Sequence, residues 1–256
     1  MNAFNMDLHL HSRFSPDSAE TMERHCERAL ELGLCALCFT DHQDFDDASL
    51  GYYDAAAYFE TLERMRERYA GRLTLWAGLE FSEPHNHPRE LEEAQRRPYD
   101  FILGSVHYWM KGAFASEMVQ RGDDLRVCFE AYWEEVRRMA HCGGFDCAAH
   151  LDFPKRYFKM LFYEPERLDE IFSLLRKKGI LLEINSSSLR RGCDEAMPGE
   201  ALLRQYAAGG GKYVTLGSDA HCAGDLYKDV PQIREQALAL GLKPVHFVRR
   251  RLVAGA

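Results

Sequence analysis

Apolar, strand-like runs in this chain end repeatedly on histidine or a carboxylate. They are His9-Leu10-His11, Asp41-His42, Glu80, His107, His150 and Asp219-Ala220-His221. A single His after a strand is usually a satisfied structural residue, so the repetition is what constrains the fold. Polar strand ends converge on one face in a barrel or a doubly wound sheet, and there they can build a metal site.

The spacing predicts seven short apolar strands near residues 6–9, 35–40, 73–79, 101–106, 145–149, 180–184 and 213–216. Helices are predicted over 19–32, 54–70, 124–141, 165–178, 198–208 and 231–240, each closed by a glycine. Proline at the first turn and glycine past the last is the usual helix punctuation. Strand–helix alternation with short links implies parallel strands joined by right-handed crossovers. Seven units fit an open sheet or a (β/α) barrel lacking one unit. The barrel is preferred because polar residues close six of the seven strands, whereas an open sheet concentrates its site at a switch point. No linker, repeat or low-complexity tract divides residues 1–256, which read as one domain. Two long loops, residues 44–53 and 108–122, are expected to shape access to the site.

The net charge of −8 and the lack of Lys/Arg runs argue against nucleic acid as the main partner. No apolar stretch approaches the roughly 18 residues of a membrane span. The N-terminal residues lack a charged and then apolar leader pattern, which favours the cytoplasm. The eight cysteines are scattered through core-like segments as reduced thiols would be. Cys35 and Cys38 form a CxxC without a second pair and read as core residues.

In a strand, His9 and His11 face the same side and can reach one ion. Asp17, in a Ser-Pro-Asp turn, is either a helix-terminal charge or a carboxylate brought beside them. Asp41 is expected to orient His42. Glu80 ends an apolar run and must be paired or bound to a cation. With His107, His150, Asp219 and His221 the candidates number six His and three carboxylates. Two metals would use about seven or eight of the nine, so three metals with one bridging carboxylate fit better. Donors without thiolate suit zinc, manganese or iron.

These motifs in order, HLH, Ser-Pro-Asp, TDH, GLE, SVH, AHLD and GSDAH, resemble the PHP (polymerase and histidinol phosphatase) family along essentially the whole chain. SVHYW, AHLDFPKR and LEINSSSLR are most similar to its histidinol-phosphate phosphatases of the trinuclear type. The resemblance implies a distorted, TIM-like (β/α)7 barrel with three divalent ions. One ion would take His9, His11, Glu80 and Asp219. A second would share Glu80 and take His107 and His150. A third would take Asp17, His42 and His221. The family often has His where this chain has Asp17. Asp17, His42, Asp219 and His221 are the expected catalytic positions.

Three divalent cations, less three carboxylates and a hydroxide, leave a formal surplus of two positive charges, which matches a phosphate monoester dianion. In-line attack by a metal-bridging hydroxide is therefore expected, without a phosphoenzyme. Arg156 and Arg190 are the expected phosphate-binding residues, with Lys155 and Arg191 behind them. The expected reaction is hydrolysis of L-histidinol phosphate. The alternative is another small phosphate ester, including nucleotides. Acids and aromatics on the rim loops (Asp44, Asp46, Asp47, Glu83, Tyr52, Tyr53, Tyr108, Trp109) suit a cationic aromatic leaving group. His85 and His87 are read as non-ligands, and His25, His141 and His246 as structural. A non-catalytic metal barrel would leave gaps in the ligand set, and none is seen. A metal-dependent amide hydrolase would not need His42, His107 and His221.

Overall fold

The structure is a computed structural model that describes residues 5–254. Residues 1–4, which form part of the N-terminal stretch read above, lie outside it. Seven parallel strands follow one another in chain order: Met6–Leu10, Ala36–Phe39, Thr74–Ser82, Phe101–Ser105, Cys147–Ala148, Leu181–Asn185 and Tyr213–Gly217. The first strand then meets the end of the seventh. Asp219 N donates to His9 O and His11 N to Ala220 O, both at 2.8 Å. These bonds join the two ends at the C-terminal rim, in a TIM-like, distorted seven-stranded (β/α) arrangement.

Alternation along the strands separates two apolar layers. Leu37, Phe39, Leu75, Ala77, Leu79, Ile102, Leu182, Ile184, Val214 and Leu216 pack outward with the helices. Met6, Leu8, Ala36, Cys38, Phe101, Leu103, Cys147, Ala149 and Leu181 form a second cluster between the strands. Above that cluster the same inward rows turn polar, with Glu80, Glu183 and Asn185 fully or almost fully buried. A register shift between Asp7 and Leu10 changes which residues of the first strand face inward: Leu8 joins the inner apolar cluster, while the adjacent His9 points into the polar layer.

The helices fall close to the predicted ranges, at Met22–Glu31, Ala55–Arg68, Leu125–Cys142, Pro165–Lys177, Glu200–Ala208 and Val230–Ala239. Thr21, Asp54 and Asp124 cap three of them by accepting hydrogen bonds from first-turn amides. No described helix is long and apolar enough to cross a membrane.

Sequence reading did not foresee the C-terminal hairpin of Lys243–Val248 and Arg251–Ala254. It pairs with the seventh strand and inserts Val245 and Phe247 into the inner cluster. Phe247 stacks on Phe101 at 5.3 Å, and His246 stacks on Trp76 at 4.7 Å. Arg250 is paired with Asp146 at 2.7 Å, and Arg249 N donates to Asp100. The hairpin thus packs on the end of the inner layer away from the polar rim. Cys38 is buried, but Cys35 is exposed, so only half of the CxxC belongs to the core.

Candidate metal centre

The nine sequence candidates meet at the C-terminal rim. Glu80 lies within the third strand rather than at its end, because that strand continues to Ser82. Its carboxylate has no exposure and divides its oxygens between two sets of imidazoles. Oε2 lies 3.0 Å from His9 Nε2, 3.5 Å from His11 Nε2 and 3.1 Å from His42 Nδ1. Oε1 lies 2.7 Å from His150 Nε2 and 3.3 Å from His107 Nε2. Asp219 Oδ1 is 3.2 Å from His11 Nε2 and 3.8 Å from His9 Nε2. Asp17 Oδ2 approaches His221 Nε2 at 3.0 Å and His42 Nε2 at 3.7 Å, with its side chain 56% exposed at the mouth.

Three groups have ligand atoms close enough to share a cation: His9, His11 and Asp219; His42, Glu80 and His107; and His11, His42 and His221. His11 is therefore nearer His42 and His221 than the resemblance implies, and it stacks on both rings at 4.1 and 4.2 Å.

The contacts within the donor set fit divalent cations. His9 Nε2 faces His11 Nε2 at 3.0 Å, and His107 Nε2 faces His150 Nε2 at 3.4 Å. Two imidazole nitrogens at that range need a proton or a cation between them. Among the described residues, His42 Nδ1 and His150 Nδ1 are buried without a well-directed hydrogen bond. Electrostatics agree. Burial would raise the Glu80 pKa, yet His9, His42, His107 and His150 hold it well below the usual carboxylate range. Burial would lower His9, but Glu183, Glu80 and Asp219 outweigh it and hold it well above a free imidazole. His107 is raised in the same way by Glu80 and Asp44. The carboxylates thus draw positive charge into the cluster.

Most outer ring nitrogens are anchored. His9 Nδ1 meets Glu183 Oε1 at 2.6 Å, His11 Nδ1 meets Ser15 Oγ at 3.0 Å, and His107 Nδ1 meets Ser82 Oγ at 2.9 Å. His221 Nδ1 is 3.0 Å from Asp219 O. Such partners set the tautomer and leave the opposite nitrogen to the metal. Asp41 does not orient His42. It accepts from Ser12 N, Ser12 Oγ and Ser15 Oγ, and so serves His11 through Ser15. His150 and Asp219 both hold positive φ, 24° and 56°, a strained backbone found where a site over-determines its residues. Gly217 is required by packing: a Cβ there would collide with His9 Cβ and the Glu183 carboxylate.

A cavity of about 450 Å3 opens over the cluster, lined by Asp17, His42, Asp44, His107, His150, Arg156, Arg191, Asp219 and His221 among others. Arg156 is nearly buried and reaches Asp219 Oδ2 and Ser187 Oγ, each at 3.0 Å. Its ring neighbours are Phe153 and Tyr157, and its Nε is buried with no partner among the described residues. Arg190 turns away from the cavity. Its Nη2 donates to Ser218 O at 2.7 Å, and its Nε faces Asp225. Arg191 takes the place on the cavity wall. Lys155 is buried on Asp152 at 2.8 Å, and Asp152 also accepts from Gly199 N. His85 pairs with Glu135 at 2.6 Å, and His87 stacks on Phe45, both outside the cluster.

The PHP domain model matches residues 7–187. The chain belongs to the PHP-domain family. Among its relatives is a probable histidinol-phosphatase of Deinococcus radiodurans, 29% identical over 96% of this chain and 97% of that protein. A histidinol-phosphatase of Lactococcus lactis is 27% identical over 85% of this chain and 84% of its own length. A crystal structure of the Lactococcus lactis histidinol phosphate phosphatase, complexed with zinc, L-histidinol and phosphate, superposes with a TM-score of 0.79. It is 24% identical and covers 97% of this chain and 98% of its own. A putative histidinol phosphatase of Listeria monocytogenes gives a TM-score of 0.74 at 18% identity, covering 89% and 99%. These two likenesses show the PHP fold.

Glu183 was not singled out from the sequence of this PHP chain, although an acid inside the apolar run Leu181–Asn185 was a signal. It holds His9 with one oxygen and accepts His150 N with the other, so it ties the first strand to the end of the fifth. Glu183→Gln is expected to weaken metal binding by roughly 10–100-fold, with the fold retained. Competition with a chelator of known affinity measures this; unchanged affinity would leave Glu183 with a packing role only.

Proposed function

We propose that this chain is a metal-dependent phosphomonoesterase that hydrolyses L-histidinol phosphate to L-histidinol and phosphate. The observation that carries the reading is Glu80, whose two carboxylate oxygens serve separate imidazole sets beneath a cavity bearing Arg156. Whole-length similarity to histidinol-phosphatases supports the substrate. Residues 1–256 are read as one phosphoesterase domain of the PHP type. We place it in the cytoplasm, consistent with eight unpaired cysteines, and infer neither nucleic acid nor membrane as partner.

His9, His11, Glu80 and Asp219 would hold one ion, Glu80, His107 and His150 a second, and Asp17, His42 and His221 a third, of zinc, manganese or iron. When bound, such ions supply a water acidified to near-neutral pKa and polarise the phosphoryl oxygens. Asp17, His42, Asp219 and His221 border the cavity floor and are assigned as the catalytic positions nearest the reacting phosphate. Arg156 and Arg191 line the wall and would face the phosphate, and the Nε–H of Arg156, without a partner among the described residues, is a donor in reserve for a phosphoryl oxygen. Arg190 is given a positioning role: it holds the Ser218 carbonyl, and with it the Asp219 backbone.

Arg156→Lys keeps the charge but loses the planar fork stacked on Phe153 and Tyr157. A fall in kcat/KM of roughly 10–100-fold is expected; a loss under twofold would remove Arg156 from the phosphate site. Steady-state kinetics on histidinol phosphate, nucleoside monophosphates and an aryl phosphate test the substrate. Histidinol phosphate should lead the aryl ester by at least about 100-fold in kcat/KM. Parity between them, or a lead for the nucleotides, would overturn the assignment.

A further inference from the structure

The carboxylates lining the main cavity are not equivalent. Asp17 is engaged with His221, and Asp219 with His11 and Arg156. Asp44 bonds Ser82 Oγ and faces His107 Nδ1. Glu117 stands exposed at the edge. Asp46 differs from all of these. Its Oδ1 accepts from Ala48 N at 3.0 Å, while its backbone carbonyl accepts from Ser49 N and Leu50 N. The turn thereby fixes the direction of the carboxylate. Its Oδ2 is buried and has no hydrogen-bond partner among the described residues. The Tyr108 hydroxyl comes near Asp46 without a well-aligned hydrogen bond.

Asp46 and Tyr108 also line a second cavity of about 240 Å3 beside the first, bordered by Glu83, His87 and Trp109. They therefore stand where the two spaces adjoin. The Tyr108 ring packs 5.5 Å from Phe114, another residue of the main cavity. A buried carboxylate oxygen without a partner is costly, and an ammonium group would satisfy it. Arg156 and Arg191 line the same cavity and would take the anionic end of a ligand. A phosphate ester held at the metal cluster and the arginines would thus find, at Asp46, a carboxylate oxygen left for a cationic group.

We propose that Asp46, flanked by the Tyr108 ring, is the specificity-determining residue that binds the ammonium group of the leaving alcohol, so that the site selects phosphate esters of amino alcohols. This rests on the phosphatase reading above and adds to it the residue that chooses the leaving group.

The test compares histidinol phosphate with its desamino analogue, the same imidazole alcohol phosphate without the ammonium group. The metal-loaded wild-type, Asp46→Asn and Asp46→Ser proteins are used. The readout is the ratio of kcat/KM for the two esters, in which any general loss cancels. Bound-metal content and thermal unfolding check that each variant is folded. The wild-type protein should favour the ammonium-bearing ester, and both variants should shrink that ratio by roughly 10–100-fold, mainly through KM. A wild-type preference that survives both substitutions overturns the role of Asp46 and leaves the phosphatase reading standing. A wild-type protein with no preference for the ammonium group overturns the Asp46 subsite. If it also turns over histidinol phosphate no better than an aryl phosphate, the substrate assignment falls with it.

Discussion

Glu80→Gln is expected to lower kcat for histidinol phosphate by at least about 10^3-fold, equivalent to about 4 kcal/mol of transition-state stabilisation. The side chains are nearly isosteric, so the barrel should persist. What changes is charge and denticity. The native carboxylate touches five imidazoles through two oxygens, and a neutral amide offers one weak acceptor oxygen and an NH2 with two donor hydrogens in the same space. The donor end would point at imidazole nitrogens meant for cations. Bound metal per chain should fall alongside kcat, which separates loss of the cluster from a subtler kinetic effect. A Gln variant with full metal content and kcat within tenfold of wild type would show that Glu80 does not bridge.

The second large effect concerns the chain stripped of metal. Burial pulls the His42 pKa down, but Asp44, Glu80 and Asp17 outweigh it and hold it at about 9. His9 and His107 move in the same direction. An unfolded imidazole titrates near 6.5, so this stabilisation is complete below about pH 6.5 and is lost as pH rises through about 9. His42 alone would account for roughly 3 kcal/mol of it. Glu80 and Asp219, both held below their ordinary values, act at the other end. Their stabilisation is present above about pH 4.5 and lost as pH falls. His11 adds to the acid loss, because burial beside His42 and His221 keeps it neutral.

Metal binding has the opposite slope, since imidazoles must lose their protons to ligate. Between pH 6.5 and 9 the Tm of chelated protein should fall by roughly 5–10 °C, and the gap between loaded and chelated protein should widen. Thermal unfolding followed by circular dichroism reads both. A chelated Tm that is flat or rising over that window would mean the imidazoles are not held as cations by the carboxylates.

Much of this site was readable in the primary sequence because barrel geometry turns strand ends into neighbours. The His9-x-His11 and Asp219-x-His221 spacings needed only the two-residue period of extended chain. Glu80 was legible as an acid that cannot be buried alone. What escaped were relationships between strands. Glu183 supports His9 from across the barrel, and nothing local in Leu181–Asn185 names that partner. Asp41 is adjacent to His42 in sequence, yet it lies between two short strands and its side chain goes to Ser12 and Ser15 on the neighbouring loop. Arg190 and Arg191 are likewise adjacent, and the turn of the short helix Ser187–Arg190 decides which of them lines the cavity. The C-terminal hairpin was missed for a different reason. Lys243–Val248 carries a proline and lacks a following helix, so it does not match the repeat that marks the other strands.

The central claim is that Glu80 lies between cations at the centre of a three-ion cluster. Anomalous-difference density from crystals of the zinc- or manganese-loaded protein tests it most directly. Three peaks are expected: two flanking the Glu80 carboxylate, and one among Asp17, His42 and His221. A single peak, or peaks that leave both Glu80 oxygens without a neighbouring ion, would contradict the account.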